Sequence, residues 1–382
     1  MVSGSFLDRL MWKEIRRLFP VHRNWVYLNN AGVCPPSRKV LEAVESFHRT
    51  HALHGWRKAQ PLFREAGRKI KAILSRLLGC DPDWIALVHN TSEGMNIVAQ
   101  GLDWKPGDVV VGLDREYPAN VYPWWNLSSS GVRYVRLSQS RTHRDVLALE
   151  AQVEAGARLV AVSAVDWCTG YVYDLRTLGE TCRRKGAVLV VDGAQALGTV
   201  PLDLQGCGIE ALAASAWKGL MGPVGLGIFV CSPGLLEKLS LRFVGTDTVV
   251  DASNYLDYRL IPRAGASRFE FSTPNANDWI YLAASLELLE EIGFPKVRER
   301  LLALTSLLRE EVSRKGYAVA GAPEDKYRSS IVSFRKEGTD ARQQAAALAA
   351  KNILVVERDG FVRASPHIYN DEQDLERLLK EL

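Results

Sequence analysis

Lys218 stands between an apolar run, Ala211–Ala216, and a glycine-rich turn that continues Gly219-Leu220-Met221-Gly222-Pro223-Val224-Gly225-Leu226-Gly227. Lysine is almost never buried without a partner, so one at the end of a core strand calls for a chemical reason. A second apolar run, Ala187–Val191, ends abruptly in the carboxylate of Asp192 and continues Gly193-Ala194-Gln195. An amine and a carboxylate at the ends of two buried strands are the groups that pyridoxal phosphate chemistry requires. The amine forms a Schiff base with the cofactor's aldehyde, and the acid holds the pyridine nitrogen protonated so that the ring accepts electrons. Lys218 and Asp192 are therefore the candidate catalytic pair.

Such a pair needs a rigid frame, and the pattern around it supplies one. Short apolar runs at Ile85–Val88, Val109–Val111, Leu159–Val162, Val188–Val191, Leu212–Ala214 and Gly227–Val230 read as strands separated by helical segments. Continuous apolar strands of this kind predict an α/β fold with a mostly parallel sheet covered on both faces. Ligands gather at the carboxyl ends of such strands, where Asp192 and Lys218 fall. Helices are predicted over Ser5–Leu18, Ser37–Thr50 and Arg64–Leu78, with an irregular crossing at Tyr27–Gly32. From Asp278 the pattern changes to long helices (Asp278–Ile292, Lys296–Lys315), strands near Ser330–Arg335 and Ile353–Glu357, and a final helix over Asp371–Leu382. The expected organisation is an N-terminal segment (1–30) packing with the small domain, a large cofactor-binding domain (31–277) and a smaller α+β domain (278–382).

The chain has 382 residues, 47% hydrophobic and 24% charged, with a net charge of +4. That balance fits a globular protein with a sizeable core. Basic residues are scattered among acids and form no stripe with aromatics, which argues against nucleic-acid binding. No run approaches the roughly 20 apolar residues of a membrane helix, and the start of the chain lacks a signal-peptide pattern. The six cysteines are dispersed without a CxxC pair, so no metal site is expected and reduced thiols in the cytoplasm are the default. A nicotinamide site would need a GxGxxG after the first strand, and none is present.

From Tyr27 to about Leu379 these separated motifs, in order, resemble the class V aminotransferase family of fold-type I pyridoxal phosphate enzymes. That group contains cysteine desulfurases, kynureninases and isopenicillin N epimerase-like proteins. The resemblance implies that Asn90-Thr91-Ser92-Glu93-Gly94 is the first phosphate loop, with Thr91 and Ser92 on the phosphate. A helix N-terminus of this kind also offers backbone N–H groups and a favourable dipole. Ser215 is implied as a further phosphate ligand, and Trp217 replaces the histidine common just before the lysine. Asp192 and Gln195 match an Asp-x-x-Gln pair facing the pyridine nitrogen and the phenolic oxygen. Tyr117 takes the position of a ring that stacks on the cofactor, where the desulfurase branch has histidine. Asp166 lies near the usual cofactor-contacting asparagine. Arg363 matches the arginine that binds the substrate carboxylate, and Asn30, Ala31 and Gly32 match the segment closing over the same group. Thr273 matches a residue that reaches the neighbouring subunit's phosphate, which implies a homodimer with shared active sites.

The resemblance implies chemistry at the α-carbon of an amino acid. Cysteine desulfurases carry a mobile nucleophilic cysteine shortly before the carboxylate arginine, and here Asn352–Gly360 has none. The expectation is an aminotransferase or α,β-lyase acting on a small or medium amino acid. The alternatives are a desulfurase, selenocysteine lyase-like or epimerase activity, and more remotely a non-catalytic binding protein on the same fold. Cys34 and Cys168 are cysteines whose part in the chemistry the sequence leaves open.

Overall fold

The structure, a computed structural model, describes residues 6–382. A first helix, Phe6–Arg17, covers most of the predicted Ser5–Leu18 helix, whose first residue lies outside the described residues. Strand β1 (Val26–Tyr27) precedes the strands of the main sheet. These are β2 (Ile85–Val88), β3 (Val109–Leu113), β4 (Arg133–Leu137), β5 (Leu159–Ser163), β6 (Val188–Asp192), β7 (Ala211–Ser215) and β8 (Gly227–Cys231). The C-terminal part adds β9 (Ala318–Val319), β10 (Val332–Arg335), β11 (Ile353–Leu354), β12 (Val356–Arg358) and β13 (Phe361–Ala364).

The main sheet has seven strands in the order β2-β8-β7-β6-β5-β3-β4, all parallel except β8. Strand β8 runs against its neighbours because the link from Ser215 to Gly227 holds no helix, and a parallel return needs a crossover. That link is the segment carrying Lys218. Strand β4, Arg-Tyr-Val-Arg-Leu, lies at the sheet edge, which is why its charged sequence gave no apolar run. On one face Leu87, Val111, Val160, Val162, Leu189, Val191, Leu212 and Ile228 pack under the helices. On the other, Ala86, Val88, Val110, Ala161, Val190, Ala213 and Phe229 pack against Met95, Val98 and Trp124. Both faces are thus dry, as the apolar strands require.

Beyond the main sheet, β12-β13-β10-β9 form an antiparallel sheet and β1 pairs in parallel with β11. The N-terminal strand is therefore part of the C-terminal assembly: Val26 and Leu28 share a core with Leu304, Leu308, Phe334, Ile353 and Leu375. Helix Ala276–Ile292 spans the expected boundary near 278. Its Trp279, Leu282 and Leu286 pack with the main-sheet core, whereas Leu288 and Leu289 join Phe19, Val297, Ile368 and Tyr369. Gly293, at φ 90°, then turns the chain into helix Phe294–Arg314. No helix among the described residues is long and apolar enough to cross a membrane.

One close approach fixes the mouth of the sheet. A Cβ on Gly227 would stand 2.7 Å from Asn90 Cα and 2.9 Å from its backbone nitrogen and carbonyl carbon, contacts that no rotamer change relieves. Gly227→Ala should therefore displace the turn before Thr91 and cost about 1–3 kcal/mol, read as a lower thermal unfolding midpoint. A variant as stable as the parent would refute that approach.

Candidate active site

The carboxyl ends of β2, β3, β5, β6 and β7 converge on one edge of the sheet. Register sets Ser163 opposite Asp192 and Asp192 opposite Ala213, so the loops that follow these strands meet. Lys218 lies in a tight turn: its carbonyl accepts from Met221 N–H at 2.8 Å, and Ala216 closes the base by donating to Leu226 O at 2.9 Å. Met221, at φ 53°, completes the turn in a left-handed conformation.

Burial lowers the Lys218 amine to a pKa of about 8, with the charge of Arg363 acting the same way and that of Asp192 opposing. Asp192 is itself raised by burial, against the pull of Lys218 and an N–H from Ala194 at 2.9 Å. The Lys218 amine sits 5.4 Å from the Tyr117 ring centre. Trp167 meets that ring edge-on at 5.6 Å and presents its carbonyl to the Arg363 guanidinium at 2.5 Å. Arg363 is buried, and its Nε has no hydrogen-bond partner among the described residues. Burial and then the charge of Arg358 bring it down to a pKa of about 10. Neither Lys218 nor Arg363 has a carboxylate within 4.0 Å among the described residues.

At the other end of the site Thr91 Oγ1 and Ser215 Oγ lie 2.9 Å apart, bringing two strand ends together as a hydroxyl pair. The helix Thr91–Gly101 is capped by Asn90, whose side chain accepts from Glu93 N–H at 3.0 Å, so the Asn90 side chain serves as helix cap. Ser92 and Tyr117 line one open cavity of about 850 Å³ with Asn96, Tyr122 and Trp125.

The predicted closing segment is held from both sides. Gln195 donates to Ala31 O at 3.0 Å, and Ala31 N–H donates to Ser365 Oγ at 2.9 Å. Asn30 donates to Ser365 O at 2.8 Å and accepts from Tyr369 O–H at 2.6 Å. Asn30 thus spends its side chain on joining the two ends of the chain. Gly32 turns back over Asn29, whose amide would meet a Cβ there at 2.9 Å. Gln195, expected on the cofactor's phenolic oxygen, is engaged with Ala31 in this structure.

Asp166 is buried beside Arg363 with its oxygens already engaged. Oδ1 accepts from Thr169 N–H at 2.5 Å and Thr169 O–H at 2.6 Å, and Oδ2 accepts from Gln139 at 3.1 Å. Thr273 is not among these groups: it lines a different cavity, of about 630 Å³, with Trp56, Arg64 and Tyr255. Among the cysteines, Cys34 is buried against Asn30, with Sγ 3.3 Å from Oδ1. Cys168 is buried near Arg363 and is raised to about 11, by burial first and Asp166 next.

The sequence reading missed Glu116 and Trp167. Glu116 accepts from Ser163 N–H at 2.7 Å and from its hydroxyl, anchoring the strand end that bears Tyr117. Burial brings it to about 8, with the charge of Asp192 adding to the rise. Its signal was a carboxylate directly before Tyr117; nothing local marked Trp167. Nor was the strand that carries Arg363 read from the sequence.

These parts fit pyridoxal phosphate group by group. A low-pKa amine suits the aldehyde, a buried carboxylate the pyridine nitrogen, an aromatic ring the cofactor face, and a hydroxyl pair at a helix N-terminus the phosphate. The family model for class V aminotransferases matches residues 26–378. The chain belongs to that family. It is an enzyme family that works with pyridoxal phosphate, and its members include aminotransferases and lyases. A protein of Methanothermobacter thermautotrophicus named "Probable cysteine desulfurase" is 30% identical over 389 residues, covering 96% of both chains. The apo structure of a cysteine desulfurase from Thermococcus onnurineus NA1 superposes with a TM-score of 0.87 at 25% identity, covering 100% of this chain and 98% of that one. A cystine C–S lyase bound to its product cysteine persulfide shares the fold, with a TM-score of 0.88 at 23% identity over 95% and 98% of the two chains.

An amine of pKa about 8 is reactive where ordinary lysines are still protonated. In cofactor-free protein, labelling of Lys218 by a small amine reagent, read by peptide mass, should rise with pH around a midpoint near 8. Because the Asp192 charge raises this pKa, Asp192→Asn should move the midpoint to lower pH. A midpoint at the ordinary lysine value of 10.5 would remove the claim.

Proposed function

We propose that this chain is a pyridoxal phosphate enzyme acting at the α-carbon of an amino acid, as an aminotransferase or an α,β-lyase. The observation that carries this reading is a buried guanidinium, Arg363, without a carboxylate partner among the described residues and near enough to Lys218 for its charge to help lower that amine's pKa. An orphaned buried guanidinium is matched by a ligand carboxylate, which it can hold in two parallel hydrogen bonds. Arg363 therefore binds the α-carboxylate and orients the α-carbon toward Lys218. The bound cofactor supplies the electron sink for the bond broken at that carbon. Lys218, with a pKa of about 8, exchanges a proton there at near-neutral pH, close to the optimum for a general acid-base group.

The remaining roles follow the same logic. Asp192 faces the pyridine nitrogen, Tyr117 covers the ring and Thr91, Ser92 and Ser215 hold the phosphate. Gln195 reaches the phenolic oxygen by leaving Ala31. Asp166 serves as a charge beside Arg363 and Trp167. We assign the large domain to 31–277 and the small one to 278–382, with residues 1–30 packing on the latter. A second copy of the chain covers the exposed apolar segment that includes Phe243 (65% exposed), Tyr255 (73%), Leu256 (84%) and Tyr258 (89%), since patches of that kind mark interfaces. That copy brings its Thr273 to this site's phosphate.

Cysteine desulfuration is the second reading, favoured by the names of the relatives. Persulfide transfer needs a thiolate at the site. No cysteine follows Cys231 in the sequence, and Cys168, at about 11, is ionised to only about one part in 10⁴ at pH 7.

The visible spectrum of the cofactor-loaded protein, followed as amino acids are added, separates these outcomes. Bleaching that a keto acid restores means transamination, whereas release of pyruvate or sulfide means lyase or desulfurase chemistry. Borohydride should fix the cofactor on Lys218, read by peptide mass, and Lys218→Ala should lose that adduct while keeping the fold. Arg363→Ala should raise the amino acid KM roughly 10- to 100-fold, the worth of a charge-assisted bidentate contact. An unchanged KM would take Arg363 out of the site.

A further inference from the structure

The strand bearing Arg363 is half of a tight hairpin. Strands β12 and β13 are joined by Asp359 and Gly360, both at positive φ (52° and 78°), the two-residue turn that matches the twist of paired strands. The register sets Val356 opposite Arg363 and Arg358 opposite Phe361. Opposed residues and their second neighbours share a face, so Arg358 and Arg363 lie diagonally on one side of the hairpin, about 7–8 Å apart by strand geometry. The Arg363 side chain on that side reaches the loop at the site, donating to Trp167 O at 2.5 Å, and the next residue of that loop, Cys168, places Sγ 3.5 Å from the backbone carbonyl of Arg358.

Among the described residues, neither guanidinium has an acid to itself. Arg358 is half-buried, and its hydrogen bond is to the backbone carbonyl of Glu357 at 2.7 Å. The nearby carboxylates are taken by other cations and by their own turns. Asp359 is held by Arg115 at 2.7 Å and Arg141 at 3.0 Å. Asp166 is engaged by Thr169 and Gln139, with Arg141 Nε at 3.7 Å. Two guanidiniums on one poorly hydrated face repel one another unless anions lie between or beside them. The α-carboxylate of an amino acid answers one of them and leaves the other.

We infer that the preferred substrate carries a second acid group on its side chain, with the α-carboxylate on Arg363 and the side-chain acid on Arg358. The chemical class is a short α-amino acid with a carboxylate, sulfinate or sulfonate on its β- or γ-carbon. Arg358 is then the specificity-determining residue, since it separates these substrates from neutral ones of the same shape. The inference rests on the proposed amino acid chemistry and deepens it.

The test uses the cofactor-loaded full chain and reads the amino acid concentration that half-perturbs the cofactor's visible band. L-Aspartate, L-glutamate and L-cysteine sulfinate are compared with L-asparagine, L-glutamine and L-alanine. At least one acidic amino acid should saturate at a concentration about tenfold lower than its neutral analogue, the worth of one added charge-assisted contact. Arg358→Gln should bring that ratio to about one, and Arg358→Lys should keep part of it. Calorimetric titration with succinate and glutarate against butyrate gives a readout without turnover and should rank the diacids ahead by the same margin. Equal saturation by acidic and neutral amino acids, or a preference that survives in Arg358→Gln, overturns the inference and leaves the α-carbon chemistry standing. A band that responds to no amino acid overturns that chemistry, and the inference with it.

Discussion

The structure depends on keeping charge out of water at one edge of a parallel sheet. Lys218, Asp192, Glu116 and Arg363 all have burial as the first cause of their altered proton affinity. An isolated charge in a dry interior is costly, and opposite charges relieve that cost best in direct contact. Here contact is withheld: the lysine feels the aspartate's field without an ion pair to it. The site is therefore electrostatically incomplete as a bare protein, and what completes it is a molecule with an aldehyde, a basic ring nitrogen, a phosphate and a carboxylate-bearing partner.

Such dehydration needs two layers, which explains the rest of the architecture. The main sheet supplies the floor, with strand ends locked in register at Ser163 and Asp192. The roof is the β12–β13 hairpin, fastened by Asp359 to Arg115 and Arg141. Individually, such partly exposed ion pairs contribute little. Their effect is to fix where the hairpin rests, because they join two separate loops, those after β3 and β4, to its tip. The N-terminal crossing closes the joint: Asn29 pairs with Ser365, Asn30 bonds Ser365 and Tyr369, and Cys34 N–H bonds the carbonyl of Trp217 beside Lys218. The two ends of the chain thus meet at the turn that carries the lysine.

What the sequence made legible follows from this layout. Strands buried on both faces announce themselves as apolar runs, so β2, β5, β6 and β7 were readable, and charges ending such runs stood out as Asp192 and Lys218. The mostly parallel sheet followed from the same signal. Strand β4 was not readable, because an edge strand carries solvent-facing arginines. Strand β13 was hidden for the opposite reason: a buried charge, Arg363, breaks its apolar pattern. Glu116 and Trp167 owe their positions to partners about 47 and 196 residues away in sequence, and no local period encodes a contact of that range. The antiparallel course of β8 could be read only from the length of the link before it.

The likeness to desulfurases shows how little a shared fold fixes chemistry. The same fold is shared by a protein named cysteine desulfurase and by a cystine C–S lyase with its reaction product cysteine persulfide. The hairpin that bears Arg363 turns in two residues, Asp359 and Gly360, both at positive φ, and holds no cysteine. The thiol that does lie close, Cys168, is buried and packed under the carbonyl of Arg358, where desolvation suppresses the thiolate that sulfur chemistry needs. A rigid, positively charged roof over a low-pKa lysine is suited to holding an anionic substrate still while a bond at its α-carbon breaks.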